Sequence, residues 1–153
     1  MANTYTQIYI HVIFAVKGRF NIIRNEWKEE LHKYITGIIR TKGQKLIAIN
    51  GMPDHIHIFL GIKPDISLSD IVRDIKANST NFINKKRLTL GKFYWQEGFG
   101  AFSCSHSHLD KVINYIMNQE KHHKKKSFKE EYLDFLKNYN VDYNEKYLFK
   151  FDI

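Results

Sequence analysis

Strand-type and helix-type hydrophobic patterns follow one another along this chain in an order that few folds accommodate. Residues 5–16 are rich in Ile, Val, Tyr and Phe, which is typical of a mostly buried strand. Helical spacing then runs from Asn25 to a stop at Gly43. Two further strands, 45–50 and 55–62, are separated by turn formers, so we expect them to form a hairpin.

The second half of the chain repeats the alternation and adds helices. Ser67 opens a helix through a capping box, and residues 93–104 predict a fourth strand or a pair of strands. Capping boxes at 107–110 and 127–130 predict two more helices. The order β-α-β-β-α-β followed by two helices is the α+β, split-βαβ order called ferredoxin-like or RRM-like. It predicts one antiparallel sheet with helices on one face, plus C-terminal helices.

Length, charge and cysteine content set the remaining bounds. The 153 residues predict one domain, 1–153, with a core at about 4–104, a later helix at about 107–120 and a C-terminal helix and tail at about 127–153. Lys and Arg total 24 and Asp and Glu total 16, and the net charge of +8 favours a polyanionic partner. A single Cys104, a polar N-terminus and the lack of a bilayer-length apolar run predict a cytoplasmic protein without membrane contact.

The strand predicted at 55–62 begins with a His-x-His pair. Side chains alternate faces along a strand, so His55 and His57 point the same way while Ile56 and Ile58 point into the core. Two imidazoles on neighbouring same-face positions can share one divalent cation. Two solvent-facing or hydrogen-bonded histidines would produce the same pattern, so these residues alone leave both interpretations open.

A second pair of polar side chains lies on the helix predicted at 107–120. Tyr115 and Gln119 are four residues apart and are therefore neighbours on one helix face, opposite an apolar side that includes Ile116. A Gln amide oxygen can complete a metal site begun by two histidines, and a phenol beside that metal can attack a phosphodiester. The alternative is an amphipathic tyrosine that packs its ring and exposes its hydroxyl.

Three motifs occur together in this chain: PDHIH at 53–57, WQEGF at 95–99 and YIMNQ at 115–119. In this combination, order and chain size, the sequence from about Thr4 onward resembles the single-tyrosine HUH transposases of the insertion-sequence 200/605 type. That family has the ferredoxin-like order derived above. The resemblance implies a DNA transposase that cleaves and rejoins single-stranded DNA at insertion-sequence ends.

The resemblance also implies roles for four residues. His55 and His57 match the metal-binding histidines of the family, and Gln119 matches its third metal ligand. Tyr115 matches the nucleophile, which forms a 5′-phosphotyrosine link and frees a 3′-hydroxyl. The implied cofactor is Mg²⁺ or Mn²⁺, with no nucleotide cofactor, and the implied partners are single-stranded DNA with hairpins and a second copy of the chain in a homodimer.

Basic and aromatic residues are candidates for DNA contacts. A solvated charged face produces the same pattern as a phosphate-binding one, and strand aromatics belong to the core more often than they stack on bases. The DNA-binding candidates are Lys17, Arg19, Arg73, Lys76, Lys85, Lys86, Arg87, Trp95, Lys121 and Lys124.

The other histidines are weaker candidates for a metal site. His106 and His108 form a second His-x-His pair across a predicted helix start, where capping or surface roles are favoured. His122 and His123 lie beside lysines and are interpreted as a solvated or DNA-facing patch. His11 lies in the first strand, where a core or hydrogen-bonding role is favoured over metal ligation.

Two other functions are compatible with this sequence. A non-catalytic ferredoxin-like nucleic-acid-binding module stacks bases on exposed sheet aromatics and requires neither the His-x-His pair nor Tyr115. Another HUH nuclease, such as a replication initiator or a relaxase, would use the same histidines, but the short chain without a large accessory domain argues against it.

Overall fold

Residues 3–144, described by a computed structural model, form a four-stranded antiparallel sheet flanked by helices. The strands are β1 (Tyr9–Ala15), β2 (Lys45–Met52), β3 (His55–Gly61) and β4 (Gly100–Cys104). Their spatial order is β2-β3-β1-β4, so the first and third strands pair at the centre. This is the ferredoxin-like topology that the sequence predicts.

Two layers of helices cover the sheet. The helices are α1 (Asn25–Thr41), α2 (Leu68–Lys85), α3 (Leu109–Met117), α4 (Gln119–His123) and α5 (Phe128–Asn138). The buried faces of α1 and α2 pack with one set of strand side chains into the largest core cluster. The helices α3 and α5 pack on the opposite face in two smaller clusters.

Strand alternation decides which side chains meet each layer. Val12 and Phe14 of β1 pack with Ile56 and Ile58 of β3 in the cluster that contains α1 and α2. The alternate positions of the same strands therefore face α3, α4 and α5. In the β1–β3 register, Ile13 lies opposite His57 and Ala15 lies opposite His55. The His-x-His pair is thus directed into the second layer of helices.

Two of the predicted strands, 5–16 and 93–104, differ from the strands in the structure. The first strand is shorter than 5–16, because it pairs with β3 only over Tyr9–Ala15 and with β4 only over Tyr9–Ile13. Residues 93–99 are not a strand: Trp95 makes a single bridge to Val16, and regular pairing begins only at Gly100. The Lys76 ammonium donates to the carbonyl oxygens of Gln96 and Gly98, at 2.8 and 2.6 Å, so this segment is fastened to α2.

The helix starts follow the predicted capping boxes in two cases out of three. Ser67 and Ser127 each accept a hydrogen bond from the backbone N–H three residues later, as expected. The third prediction is wrong, since α3 begins after a 3-10 turn and His108 at its N-cap forms no side-chain cap. The Ser107 hydroxyl instead hydrogen-bonds to Ser105.

The predicted helix at 107–120 is interrupted in the structure. The predicted C-terminal tail, which runs to residue 153, lies partly outside the residues that the structure describes. Asn118 has φ −104° and ψ 28°, which ends α3 and starts the short α4. Residues 145–153 lie outside the described part of the chain. Among residues 3–144, none of the helices is both long and apolar enough to cross a bilayer.

Candidate active site

The β2–β3 hairpin carries His55 and His57 into the space beneath α3, α4 and α5. Both imidazoles are fully buried, which excludes the solvent-facing interpretation. Gly51 on β2 allows the strands to approach at this point, because a Cβ there would lie 2.5 Å from the His55 carbonyl oxygen. The hairpin therefore places two ionisable rings where water does not reach them.

The outer nitrogen of each histidine has a fixed partner. His55 Nδ1–H donates to Asp54 Oδ1 at 2.6 Å, and His57 Nδ1 shares a hydrogen bond with His11 Nε2 at 2.8 Å. These contacts set the ring orientations and direct both Nε2 atoms to the same interior point. His11 thus has the hydrogen-bonding placement that its strand position suggests.

Tyr115 reaches the histidines from α3 of the same chain. Ile116 is fully buried beside Ala48 and Phe59, and Asn50 Nδ2 donates to the Ile116 carbonyl oxygen at 2.9 Å. These contacts fasten α3 to the sheet next to β3. The Tyr115 ring lies with its centroid 5.9 Å from that of His57, and its hydroxyl donates to a carboxylate oxygen of Glu131.

Gln119 meets the same cluster despite the helix break before it. Its side chain is fully buried, and Oε1 lies 3.3 Å from His55 Nε2. Its amide nitrogen donates to Glu131 Oε2 at 3.3 Å. The spacing of four residues from Tyr115 therefore brings both side chains to one site, as the sequence predicts, although α3 and α4 are separate helices.

Glu131 and His123 are site residues that the sequence interpretation missed. Glu131 Oε1 lies 3.1 Å from His57 Nε2, 3.4 Å from His55 Nε2 and 3.2 Å from His123 Nε2. One ligand atom from each of these four residues lies within 4.8 Å of every other. Such a grouping of nitrogen and carboxylate donors is suited to a divalent cation.

The interpretation of His122 and His123 as a solvated or DNA-facing patch is wrong for His123, since its side chain is only 8% exposed and joins the cluster. His122 stacks on the Tyr115 ring with centroids 4.6 Å apart. A signal for Glu131 was present in the sequence: it lies on the apolar stripe of α5 with Phe128 and Phe135, where a carboxylate is expected only with partners. His106 and His108 lie in an exposed 3-10 turn.

Burial and contact with Glu131 set the protonation of the cluster. Burial opposes charge on His55, but its bonds to Asp54 and Glu131 outweigh this and raise its pKa to about 9. Burial dominates at His57 and lowers its pKa to about 4. Although burial opposes ionisation of Glu131, the surrounding histidines hold the pKa of its carboxyl well below the usual range. Burial, followed by the Glu131 charge, raises the pKa of Tyr115.

Two cavities border Tyr115. One of about 270 Å³ is lined by residues that include Tyr115, His122, Lys125 and Lys126. The other, of about 520 Å³, lies between β4, α3 and α5 and includes Lys111 in its lining. Tyr115 thus borders both open, partly cationic space and the buried histidines.

The residues selected as DNA contacts have diverse placements. Trp95 is in the core, not on an open sheet face: its ring lies edge-on to Phe14 and Phe93, and its Nε1–H donates to Ser79 Oγ at 2.9 Å. Lys76 is bound to carbonyl oxygens of its own chain.

The remaining candidates lie at the surface, several with partners from this chain. Arg73 pairs with Asp70 and Asp74, and Lys86 with Glu30. The Nζ atom of Lys17 lies 5.6 Å from the centroid of the Tyr94 ring. Arg19 lies in the turn after β1, where its backbone has φ 55°. Four of these candidates are exposed and form no ion pair within residues 3–144: Lys85, Arg87, Lys121 and Lys124.

Comparison with known proteins decides the family. Residues 4–119 match the protein family described as "Transposase IS200 like". The chain belongs to this family of IS200-like transposases. The matched range contains His55, His57, Tyr115 and Gln119, but it ends before His123 and Glu131. The family match therefore does not extend to α5.

Individual relatives agree with this membership. The ISDra2 transposase TnpA of Deinococcus radiodurans is 25% identical over 118 residues, covering 74% of this chain and 84% of that protein. A crystal structure of a candidate transposase from Deinococcus radiodurans R1 aligns with TM-score 0.61 and 25% identity, covering 78% of this chain and 95% of the other. A REP-associated tyrosine transposase bound to a REP hairpin shares the fold, with TM-score 0.62, 17% identity and coverage of 80% and 73%.

Proposed function

We propose that this IS200-like transposase cleaves and rejoins single-stranded DNA at insertion-sequence ends through a 5′-phosphotyrosine intermediate on Tyr115. The observation that carries the proposal is the position of the Tyr115 hydroxyl, at the edge of a buried cluster containing His55, His57 and Gln119 of the same chain. A tyrosine with only a packing role does not require buried polar groups around its hydroxyl.

The proposed reaction exchanges one phosphodiester for another. The Tyr115 oxygen attacks the scissile phosphorus, a bond forms between them, and the bond from phosphorus to the 3′ oxygen breaks. The departing oxygen takes up a proton and becomes a free 3′-hydroxyl, which balances the proton lost by Tyr115. Attack by a 3′-hydroxyl on the phosphotyrosine reverses these changes and rejoins the strand, so no nucleotide cofactor is required.

Glu131 is placed to assist the tyrosine. Because burial and the nearby carboxylate raise the pKa of Tyr115, the phenol is protonated near neutral pH and must lose its proton during attack. Its O–H already donates to Glu131, so the carboxylate orients the hydroxyl. His122, which also lines the smaller cavity, stacks on the phenol ring.

His55, His57 and Gln119 are the residues we expect to hold Mg²⁺ or Mn²⁺. Their fit to a cation rests on two buried Nε2 atoms directed to one point, a buried amide oxygen 3.3 Å from one of them, and ring orientations set by Asp54 and His11. A bound cation would neutralise charge on a non-bridging phosphate oxygen and hold the phosphate in line.

The proposed substrate is single-stranded DNA that folds into hairpins, and the proposed assembly is a homodimer of the single domain 1–153. Support for the substrate comes from the net charge of +8 and from the solved relative of the same fold that is bound to a REP hairpin. The exposed cations without ion pairs are the first candidates for phosphate contacts.

The decisive experiment is incubation with hairpin-containing single-stranded DNA and Mn²⁺, followed by a denaturing gel. We expect a covalent protein–DNA adduct for the unmodified chain and none for Tyr115→Phe, because a phenyl ring has no nucleophilic oxygen. Tyr34→Phe is the matched control, since Tyr34 stacks on Phe82 in the opposite helical layer and should leave the adduct unchanged.

Two results would contradict the proposal. An undiminished adduct with Tyr115→Phe would assign the nucleophile to another residue. The absence of any adduct across a panel of hairpins, with folded protein and bound DNA, would favour a non-catalytic binding module.

A further inference from the structure

From the contacts of α4 and α5, we infer that His123 and Glu131 are metal ligands and that the nitrogen-rich site they complete binds a first-row transition dication in preference to Mg²⁺. This inference rests on the proposed function and deepens its metal site. The matched family range ends at residue 119, so both residues lie beyond it.

The first argument is the crowding of donors around one carboxylate oxygen. Three imidazole Nε2 atoms lie 3.1, 3.2 and 3.4 Å from Glu131 Oε1. Single N–H···O hydrogen bonds are most often about 2.9–3.0 Å, and one oxygen does not align well with three ring donors at once. Donor atoms about 2.1 Å from a common ion, at tetrahedral or octahedral angles, are about 3.0–3.4 Å apart, which matches these separations.

The second argument is burial. The Glu131 side chain is 4% exposed and that of His123 is 8% exposed, while His55 and His57 are fully buried. An ionised carboxylate is costly to bury unless charge and hydrogen bonds compensate it. The Tyr115 hydroxyl, the Gln119 amide and the imidazoles supply part of that compensation. A dication at the point where these side chains converge would add to it, on a face of α5 that is otherwise apolar, with Phe128 and Leu136 buried.

The two carboxylate oxygens of Glu131 have different partners, which connects the metal site to the nucleophile. Oε1 faces the three imidazoles, whereas Oε2 receives the Tyr115 hydroxyl and the Gln119 amide. Glu131 therefore acts as a positioning residue for Tyr115 while its other oxygen binds the cation. The same chain supplies the nucleophile, all three imidazoles and the carboxylate.

The chemistry of the donors sets the preferred ion. Three imidazole nitrogens accompany one carboxylate oxygen and the Gln119 amide oxygen, which lies 3.3 Å from His55 Nε2 and 3.1 Å from His123 Nε2. Mg²⁺ is a hard ion that prefers oxygen ligands and retains several waters, whereas imidazole favours transition metals. The preference for a transition dication follows from the third imidazole.

The test is a calorimetric titration of the full chain with Mn²⁺ and with Mg²⁺, each without DNA. We expect Mn²⁺ to bind at least about tenfold more tightly than Mg²⁺, and Glu131→Gln and His123→Asn each to weaken Mn²⁺ binding by at least about tenfold. Glu130→Gln, next to Glu131 but at the exposed capping position, and His106→Asn, in the exposed 3-10 turn, are the matched controls and should bind as the unmodified chain does.

A second measurement keeps the inference open to contradiction if a variant fails to fold. X-ray absorption of the unmodified chain loaded with Mn²⁺ should show three imidazole ligands, and two would overturn the inference. Unchanged Mn²⁺ affinity in folded Glu131→Gln and His123→Asn would also overturn it, as would tighter binding of Mg²⁺. Either of these results with a normal DNA adduct would leave the proposed function intact, whereas a loaded three-imidazole site without any adduct would contradict the function and not the site.

Discussion

Glu131 shows how strongly one buried charge can organise its surroundings. Its carboxylate contacts His55, His57, His123, Gln119 and Tyr115, and it reaches them from a helix that is otherwise apolar on that side. Removing one partner of a buried ionic group leaves the others uncompensated, so substitutions here are expected to act together and not additively. At the scale of the residue, the site is a single unit centred on this carboxylate.

A histidine outside the site provides a test of pH dependence. Burial, with a smaller contribution from the Lys28 charge, lowers the pKa of His32 to about 4 from 6.5. The unfolded chain therefore takes up a proton before the folded chain does, so stability is lost as the pH falls from 6.5 to about 4. Between these two pH values, the free energy of unfolding of His32→Gln should fall by up to about 3 kcal/mol less than that of the unmodified chain. The measurement is urea unfolding of both proteins at each pH.

The variant Lys28→Gln separates the two causes of the His32 shift. Because burial is the larger cause, this variant should keep most of the acid sensitivity of the unmodified chain. A pH profile in Lys28→Gln that equals that of His32→Gln would show that the lysine charge dominates instead. Identical profiles in His32→Gln and the unmodified chain would contradict the assignment altogether.

At the scale of elements, the start of α5 determines whether Glu131 and the apolar residues around it are held in place. Ser127 and Glu130 form a reciprocal capping box there, whereas Ser107 forms no cap for α3. Ser127→Ala should therefore lower the free energy of unfolding by about 1 kcal/mol, and Ser107→Ala should change it by less than about 0.5 kcal/mol, both by urea denaturation. Equal losses in the two variants would contradict this difference between the helix starts.

The same element scale explains why capping signals were only partly reliable. A Ser-x-x-acid pattern occurs at Ser67, Ser107 and Ser127, and each has the side chains that a capping box needs. Ser107 itself lies in a 3-10 turn, and its hydroxyl hydrogen-bonds to Ser105 and not to a backbone N–H of α3. The helix therefore starts later. The local sequence therefore shows which serines can cap a helix, and the backbone conformation around each serine decides which of them do.

At the scale of the whole molecule, the meeting of Tyr115 with His57 in one chain predicts cis catalysis. Tyr115→Phe and His57→Ala, each inactive alone, should remain inactive when mixed, because neither chain then holds both groups. The measurement is adduct formation on a denaturing gel after the two variants are co-refolded, with light scattering to establish whether dimers formed. Restored adduct in such a mixture would show that the tyrosine acts in the partner subunit.

Hairpin binding should depend steeply on salt, as expected for a chain with net charge +8. Lys125 and Lys126 both line the smaller cavity at Tyr115, but Lys126 is paired with Asp134. Lys125→Gln should reduce the slope of log K against log salt by about 0.7–0.9, and Lys126→Gln should reduce it less. A slope that neither variant alters, measured by fluorescence anisotropy, would place the phosphates away from this cavity.

The sequence by itself determined the order of strands and helices from which the sheet topology is predicted, the shared face of His55 and His57, and the proximity of Tyr115 to Gln119. The two side-chain pairings follow from short repeats of two and about four residues. The tertiary structure alone decided that His123 and Glu131 join them and that Trp95 lies in the core. His123 and Glu131 are separated from His57 by 66 and 74 positions, and no local period specifies a contact across that length. The packing of α5 on β1 and β4 brings Glu131 to the histidines, and α4, which precedes α5 in the chain, carries His123 to the same point.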